Sequence, residues 1–161
     1  DNFDDMQRVA SEIHIPIATG ERLHTLEEFG MLLARNACQY IRPDVCLCGG
    51  ITQAKKIAAA AEARGVLVVP HNPLSPVSTA ACIQLAASIP NFAIQEYPLG
   101  EDCAPKNEIV KSTLTLDNGY LTVPDSPGIG IELNEQAMHQ YPYKPRLYVT
   151  KLREDGSVVD Q

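Results

Sequence analysis

Val66-Leu67-Val68-Val69-Pro70-His71 is an apolar run, rich in β-branched residues, that stops at a proline and an imidazole. No polar residue alternates through it, which is the pattern of a parallel strand covered on both faces. Helices are expected on either side. The alanine-rich stretch 51–64 stops at Gly65, a left-handed C-terminal cap, and Ser75-Pro76 opens a second helix running to about residue 88. A helix, a buried strand and another helix in sequence imply a parallel sheet with crossover helices.

The same unit recurs in both directions. Upstream, Ile13, Ile15, Pro16, Ile17 and Ala18 form an apolar stretch ending at Thr19-Gly20-Glu21-Arg22. Thr25 and Glu28 then have the spacing of a capping box for a helix over 26–35. Tyr40-Ile41-Arg42-Pro43-Asp44-Val45-Cys46 reads as the next strand, bent at its proline, and Gly49-Gly50 turns the chain into the alanine-rich helix. Downstream, Phe92-Ala93-Ile94-Gln95 reads as a further strand ending in Glu96. Phe3, Met6, Val9 and Ala10 fall at helical spacing, so the sequence opens in a helix.

Each strand is followed at once by a group with chemistry: Glu21, Asp44, His71 and Glu96. In βα barrels the catalytic groups sit at the C-terminal ends of the parallel strands, where the loops leave room for a substrate. Carboxylates and an imidazole in that position suggest acid/base chemistry. A closed barrel of this kind needs eight strands, and four are expected here. Edges near Ile17 and Ile94 therefore call for a partner or a further segment. Residues 1–112 are expected to form this partial (β/α) barrel. Residues 113–161 are expected to form a hairpin turning at Asn118-Gly119, a short helix near 134–139 and a tail with a turn at Asp155-Gly156, packed on the barrel.

A net charge of −7 and a pI near 5.0 disfavour nucleic acid and anionic membrane as partners, which both need a positive surface. A small-molecule substrate is more natural. The five cysteines are odd in number and four of them lie in apolar segments, as reduced thiols do in a cytoplasmic protein. Cys46 and Cys48 are one residue apart, not the two of a zinc or redox pair. Gly49-Gly50 lacks the lysine of a phosphate loop and reads as a tight turn. No apolar run approaches a membrane span, and the acidic opening is unlike a signal peptide.

Several stretches together resemble the mandelate racemase/muconate lactonizing enzyme branch of the enolase superfamily, and in it the acid-sugar dehydratases. They are Ile15-Pro16-Ile17-Ala18-Thr19-Gly20-Glu21-Arg22, Arg42-Pro43-Asp44, Cys48-Gly49-Gly50, Pro70-His71-Asn72-Pro73, Pro90-Asn91-Phe92 with Gln95-Glu96, and Pro127-Gly128-Ile129-Gly130. The resemblance implies that the chain is the C-terminal half of the barrel, strands five to eight, with a C-terminal hairpin extension.

By the same resemblance Glu21 is a ligand of an essential Mg²⁺, a hard cation that prefers oxygen. It is the one of three expected protein ligands that falls in this chain. His71 is the base or acid at the α-carbon, Asp44 fixes its imidazole, and Glu96 hydrogen-bonds the enediolate as a neutral acid with a raised pKa. The implied reaction takes the α-proton of a sugar acid and expels the β-hydroxyl as water. The expected setting is a cytoplasmic homo-oligomer with no nucleic acid or membrane partner. Arg22 and His24 are candidates for substrate contact, while His14 and His139 read as surface residues. A racemase or cycloisomerase of the same superfamily, or a non-catalytic half-barrel, are the alternatives. Alone, the chain is expected to lack the other metal carboxylates and to be inactive.

Overall fold

The computed structural model of the chain describes residues 2–145 and 150–159. Helix α1 (Phe3–Glu12) is capped by Asn2, whose side chain accepts from the N–H groups of Asp4 and Asp5. It lays Phe3 and Met6 on the core, and Arg35 sits over the Phe3 ring. Strand β1 (Ala18–Thr19) leads into α2 (Leu26–Ala34), and β2 (Tyr40–Ile41) into α3 (Gly50–Glu62). Strand β3 (Leu67–Val68) leads into α4 (Pro76–Ala87).

The three strands form one parallel sheet in the order β1-β2-β3, with Ala18, Tyr40 and Leu67 in register. Side chains alternate across a strand. One face carries Ile41 and Val68, both fully buried, against Phe29, Leu32, Ile57 and Ala58 of α2 and α3. Burying one such side chain is worth about 1.5–3 kcal/mol, so this helical layer is what holds the sheet. The other face carries Ala18, Tyr40 and Leu67, and no described residue seals it; Leu67 is 38% exposed. Among the described residues the strand 66–69 is therefore covered on one face, not both, and helices pack on that face alone.

The expected fourth strand is reduced to a single parallel bridge between Val68 and Phe92. Val68 N–H donates to Asn91 (2.8 Å) and Ala93 N–H to Val68 (2.9 Å), and the pairing ends there. Ile94, 65% exposed, finds no described strand on its far side to continue the ladder. The buried Asn91 side chain fixes this junction by donating to the carbonyls of Ala58 and Val66.

The helix ends follow the sequence signals. Thr25 Oγ1 accepts from Glu28 N–H (3.2 Å), and Glu28 Oε2 accepts from Thr25 N–H (2.9 Å) and His24 N–H (2.7 Å), which completes the capping box. Beyond the sheet come a 3-10 turn (Lys106–Ile109), the hairpin β4 (Leu116–Asp117) and β5 (Tyr120–Leu121), and α5 (Ala137–Gln140). Asn118 and Gly119 both take positive φ, as a type I′ turn demands. Lys111 N–H donates to Glu132 and Asn134 N–H to Ile109, which ties the two ends of this region together.

Candidate active site

The β2–β3 ladder continues past its last regular pair. Val69 N–H donates to Ile41 (2.9 Å) and His71 N–H to Pro43 (3.2 Å), which makes Asp44 and His71 a further parallel rung. Pro43 and Pro70 lie between and bring no N–H, so the ladder thins to this one bridge. The geometry places the two side chains next to each other at the strands' C-terminal ends.

His71 Nδ1 lies 3.0 Å from Asp44 Oδ2, with Asp44 only 2% exposed. A carboxylate only accepts, so Nδ1 carries the hydrogen, and in the neutral imidazole Nε2 is then the nitrogen with the lone pair. Asp44 Oδ1 accepts from Cys46 N–H (2.8 Å), and the Asp44 carbonyl accepts from Cys48 N–H (2.8 Å). The turn into α3 thus fixes the carboxylate from both its side chain and its backbone. That turn needs Gly49, at φ +100°, where a Cβ would meet Gln53.

Glu96 comes to the same edge. Its Oε2 accepts from Arg42 Nη2 (2.7 Å) and from Asn72 N–H (2.7 Å), the residue next to His71. Oε1 receives no donor among the described residues. Burial pushes this carboxyl up, but the Asn72 N–H, the Arg42 guanidinium and the nearby His71 together bring it below the ordinary carboxylate value. That direction is opposite to the raised pKa a neutral donor needs. The Asn72 N–H is the largest of these lowering influences, followed by Arg42 from the strand 40–46.

A buried polar frame stands behind His71 and Glu96. Asn72 Nδ2 donates to Thr79 Oγ1 (2.6 Å) and to the Glu96 carbonyl (3.1 Å), and Ser78 Oγ donates to Asn72 Oδ1. Thr79 Oγ1 in turn donates to Glu101 Oε2 (2.8 Å). Glu101 is 2% exposed, and its Oε1 has no partner among the described residues. Burial raises its carboxyl, against the opposing pull of Thr79 and Lys106. Asn72 between two prolines was visible in the sequence; Glu101, in what reads as a polar loop, was not.

Glu21 stands at the end of β1, half-buried, and takes no hydrogen bond from a described residue. No three His, Cys, Asp or Glu side chains among the described residues converge on a metal position. Mg²⁺ wants several oxygens. One carboxylate does not make its site, so the described residues by themselves do not fit the ion. The structure brings Asp44, His71 and Glu96 together and leaves Glu21 on the neighbouring strand, with no hydrogen bond to them. A cleft of about 450 Å³ lined by His24, Leu47, Gln53 and Lys56 includes none of the four. His14 and His139 are exposed.

All five cysteines are free thiols. Burial pushes Cys38 and Cys48 up to about 11 and Cys82 up to about 12, which makes them inert packing groups. Cys46, expected inside an apolar segment, is exposed, because the turn after Asp44 swings it outward. Among the described residues no helix is long and apolar enough to cross a membrane.

Comparison with known proteins gives a consistent result. The family model described as "Enolase C-terminal domain-like" matches residues 1–137. A D-galactonate dehydratase family member of Streptomyces bingchenggensis is 33% identical over 99% of this chain and 39% of its own length. The D-galactonate dehydratase of Pectobacterium atrosepticum is 36% identical over 80% of this chain and 35% of its own length. An enolase from Agrobacterium radiobacter, solved with Na and L-malate bound, superposes with a TM-score of 0.87 at 34% identity, covering 98% of this chain and 43% of that one. A mandelate racemase/muconate lactonizing enzyme from Sulfitobacter sp. gives 0.84 at 39% identity, covering 90% and 36%. The chain therefore spans well under half the length of these relatives.

Proposed function

Because the chain belongs to the enolase C-terminal domain-like family, we propose that it supplies the imidazole half of the active site of an acid-sugar dehydratase. The substrate is an aldonate of the galactonate kind. The observation that carries this reading is the Asp44–His71 rung, with a 3.0 Å contact between the side chains. It fixes the tautomer in which the neutral imidazole has its lone pair on Nε2, at the C-terminal end of a parallel sheet, as removal of a proton from carbon requires.

In this scheme His71 Nε2 takes the α-proton of the sugar acid, and the electron pair of that C–H bond moves into the carboxylate to give an enediolate. The pair then returns, the β C–O bond breaks, and the hydroxyl takes the proton back from the His71 imidazolium and leaves as water. The enol that remains tautomerises to a keto acid. Asp44 holds the imidazole in the required tautomer and balances its charge after it takes the proton. Glu21 is assigned as one oxygen ligand of a Mg²⁺ whose other ligands lie outside the described residues. Glu96 faces the substrate from the fourth strand position. Residues 1–112 carry this edge, and the described part of the stretch 113–161 packs on it, in line with the hydrogen bond from Gln84 Nε2 to the Ile129 carbonyl (3.5 Å); the rest of that stretch lies outside the described residues.

The test uses the full-length protein and a panel of sugar acids in D₂O with Mg²⁺. Formation of a keto acid by the wild type, and its loss in His71→Asn, is the expected result. Exchange of the α-hydrogen without loss of water would replace the dehydratase by a racemase. No exchange and no dehydration with any acid would remove the catalytic reading of His71.

A further inference from the structure

Glu101 is a buried carboxyl for which the dehydratase scheme has no use. Burying such a group without full pairing is costly, and an apolar side chain of similar size would cost less. Its contacts give the reason. Thr79 Oγ1 donates to Glu101 Oε2 (2.8 Å) and accepts from Asn72 Nδ2 (2.6 Å), so the carboxyl leads through two hydrogen bonds to the residue that follows His71.

This frame stands where the sheet runs out of ladder. On the β2 side His71 is held by its backbone N–H to Pro43 and by Nδ1 to Asp44. On the other side, the last backbone bond between β3 and the segment 92–95 among the described residues is Ala93 N–H to Val68, well short of His71. Pro70 and Pro73 bring no N–H. Asn72 bridges the gap: its backbone N–H donates to Glu96 Oε2 (2.7 Å) and its Nδ2 to the Glu96 carbonyl (3.1 Å), while its Oδ1 accepts from Ser78 Oγ. One residue replaces the missing rungs.

We propose that Glu101 is a positioning residue for His71: as a buried acceptor it directs the Thr79 hydroxyl, which directs the Asn72 amide that joins the His71 strand end to Glu96. This rests on the acid-sugar reading above and deepens it. With its hydrogen committed to Glu101, the Thr79 oxygen is left to accept, and only the nitrogen end of an amide can face it. The same nitrogen end then meets the Glu96 carbonyl. Without Glu101 the Thr79 hydroxyl is free to donate to Asn72 Oδ1, and an amide turned that way offers the Glu96 carbonyl no donor. Asp44 sets the tautomer of His71, and the frame sets the distance from Nε2 to the α-carbon.

Variants of the full-length protein test this. Glu101→Leu removes the acceptor and Thr79→Val the hydroxyl. Each is expected to lower kcat for the sugar acid by about tenfold to hundredfold with KM near wild type, the effect of a base displaced by roughly 1 Å. Glu101→Gln keeps an oxygen for Thr79 and is expected to restore kcat to near wild type. Rates are taken per folded molecule, measured by urea unfolding, so that lost stability alone does not enter. Wild-type kcat in a folded Glu101→Leu or Thr79→Val protein overturns the proposal, and so does an equal fall in Glu101→Gln and Glu101→Leu.

Failure of the dehydratase reading itself has a different signature: the wild type then turns over no sugar acid. In that case the Nδ1–H of His71 is followed by NMR of protein carrying ¹⁵N-histidine, its signal identified by its loss in His71→Asn. Faster exchange of this hydrogen with water in Glu101→Leu, and the wild-type rate in Glu101→Gln, support the frame. Exchange that does not separate these two variants overturns it.

Discussion

The side chains of Asp44 and His71 meet at 3.0 Å on the same rung that joins their backbones. Two proline-interrupted strands thus fix both partners before the side chains choose rotamers. The consequence is a testable division between fold and chemistry. In Asp44→Asn the amide oxygen still accepts from Cys46 N–H, so the turn into α3 survives. The amide no longer dictates which ring nitrogen carries the hydrogen. Activity of the full-length protein is expected to fall by roughly 10²–10⁴ in kcat, with the circular dichroism spectrum unchanged. A kcat within a factor of a few of wild type would show that Asp44 has no part in orienting the base.

Gly20 sets the approach to Glu21. It adopts φ +115°, and a Cβ there would lie 2.7 Å from Phe29 Cε1 in the core. Phe29, on α2, is fully buried in the core and has little room to yield. Gly20→Ala is expected to destabilise the protein by about 1–3 kcal/mol through overpacking, with further strain from the left-handed backbone. Urea denaturation measures it. A midpoint equal to wild type would mean that the β1 end relaxes freely, and Glu21 would then be loosely held.

The Thr25–Glu28 box lies just beyond Glu21 and starts α2. Thr25→Ala removes the acceptor for Glu28 N–H, and a loss of about 1 kcal/mol is expected in thermal or urea unfolding. Glu28 is held below the ordinary carboxylate value by the backbone N–H of His24, then that of Thr25. Thr25→Ser keeps the box and is expected to stay near wild type. Equal losses for Ala and Ser would point to packing of the threonine methyl instead of the cap.

The sequence makes the strand-end positions of Asp44 and His71 legible because that information is local, since each follows an apolar strand; their pairing comes from the family resemblance, and parallel neighbours of similar length are what bring the two positions level. The helices are legible for the same reason, since Thr25, Gly65 and Pro76 mark their ends within the chain. The fourth strand is less so. Phe92-Ala93-Ile94-Gln95 has a strand's residues, but a strand exists only with partners, and beyond Val68 none is described for it. Arg42–Glu96 was missed because nothing in a spacing of 54 residues tells which cation reaches which carboxylate. The same holds for Glu101, whose burial depends on α4 folding back over the loop, a tertiary fact with no local pattern.

Glu101 gives the pH prediction. Its ordinary value is 4.5, and burial raises it in the folded chain, with Thr79 and Lys106 opposing. A carboxyl whose folded pKa lies above its unfolded pKa binds its proton more tightly in the native state. Its contribution to stability is therefore complete below 4.5 and is lost as pH rises through the raised folded value. Glu96 runs the other way: its folded value is lowered, so its contribution is present above the ordinary value and lost as pH falls through the folded one. Glu101→Gln keeps the side chain's shape and an oxygen for Thr79 but cannot ionise. The variant is expected to lose the decline that sets in above about pH 4.5. Melting temperatures at matched ionic strength across that range decide it. The amide has N–H groups of its own to satisfy, so the slope with pH, not the absolute stability, is the diagnostic quantity. Parallel wild-type and Glu101→Gln curves would mean that Glu101 is ionised in the folded protein and that a partner compensates its charge.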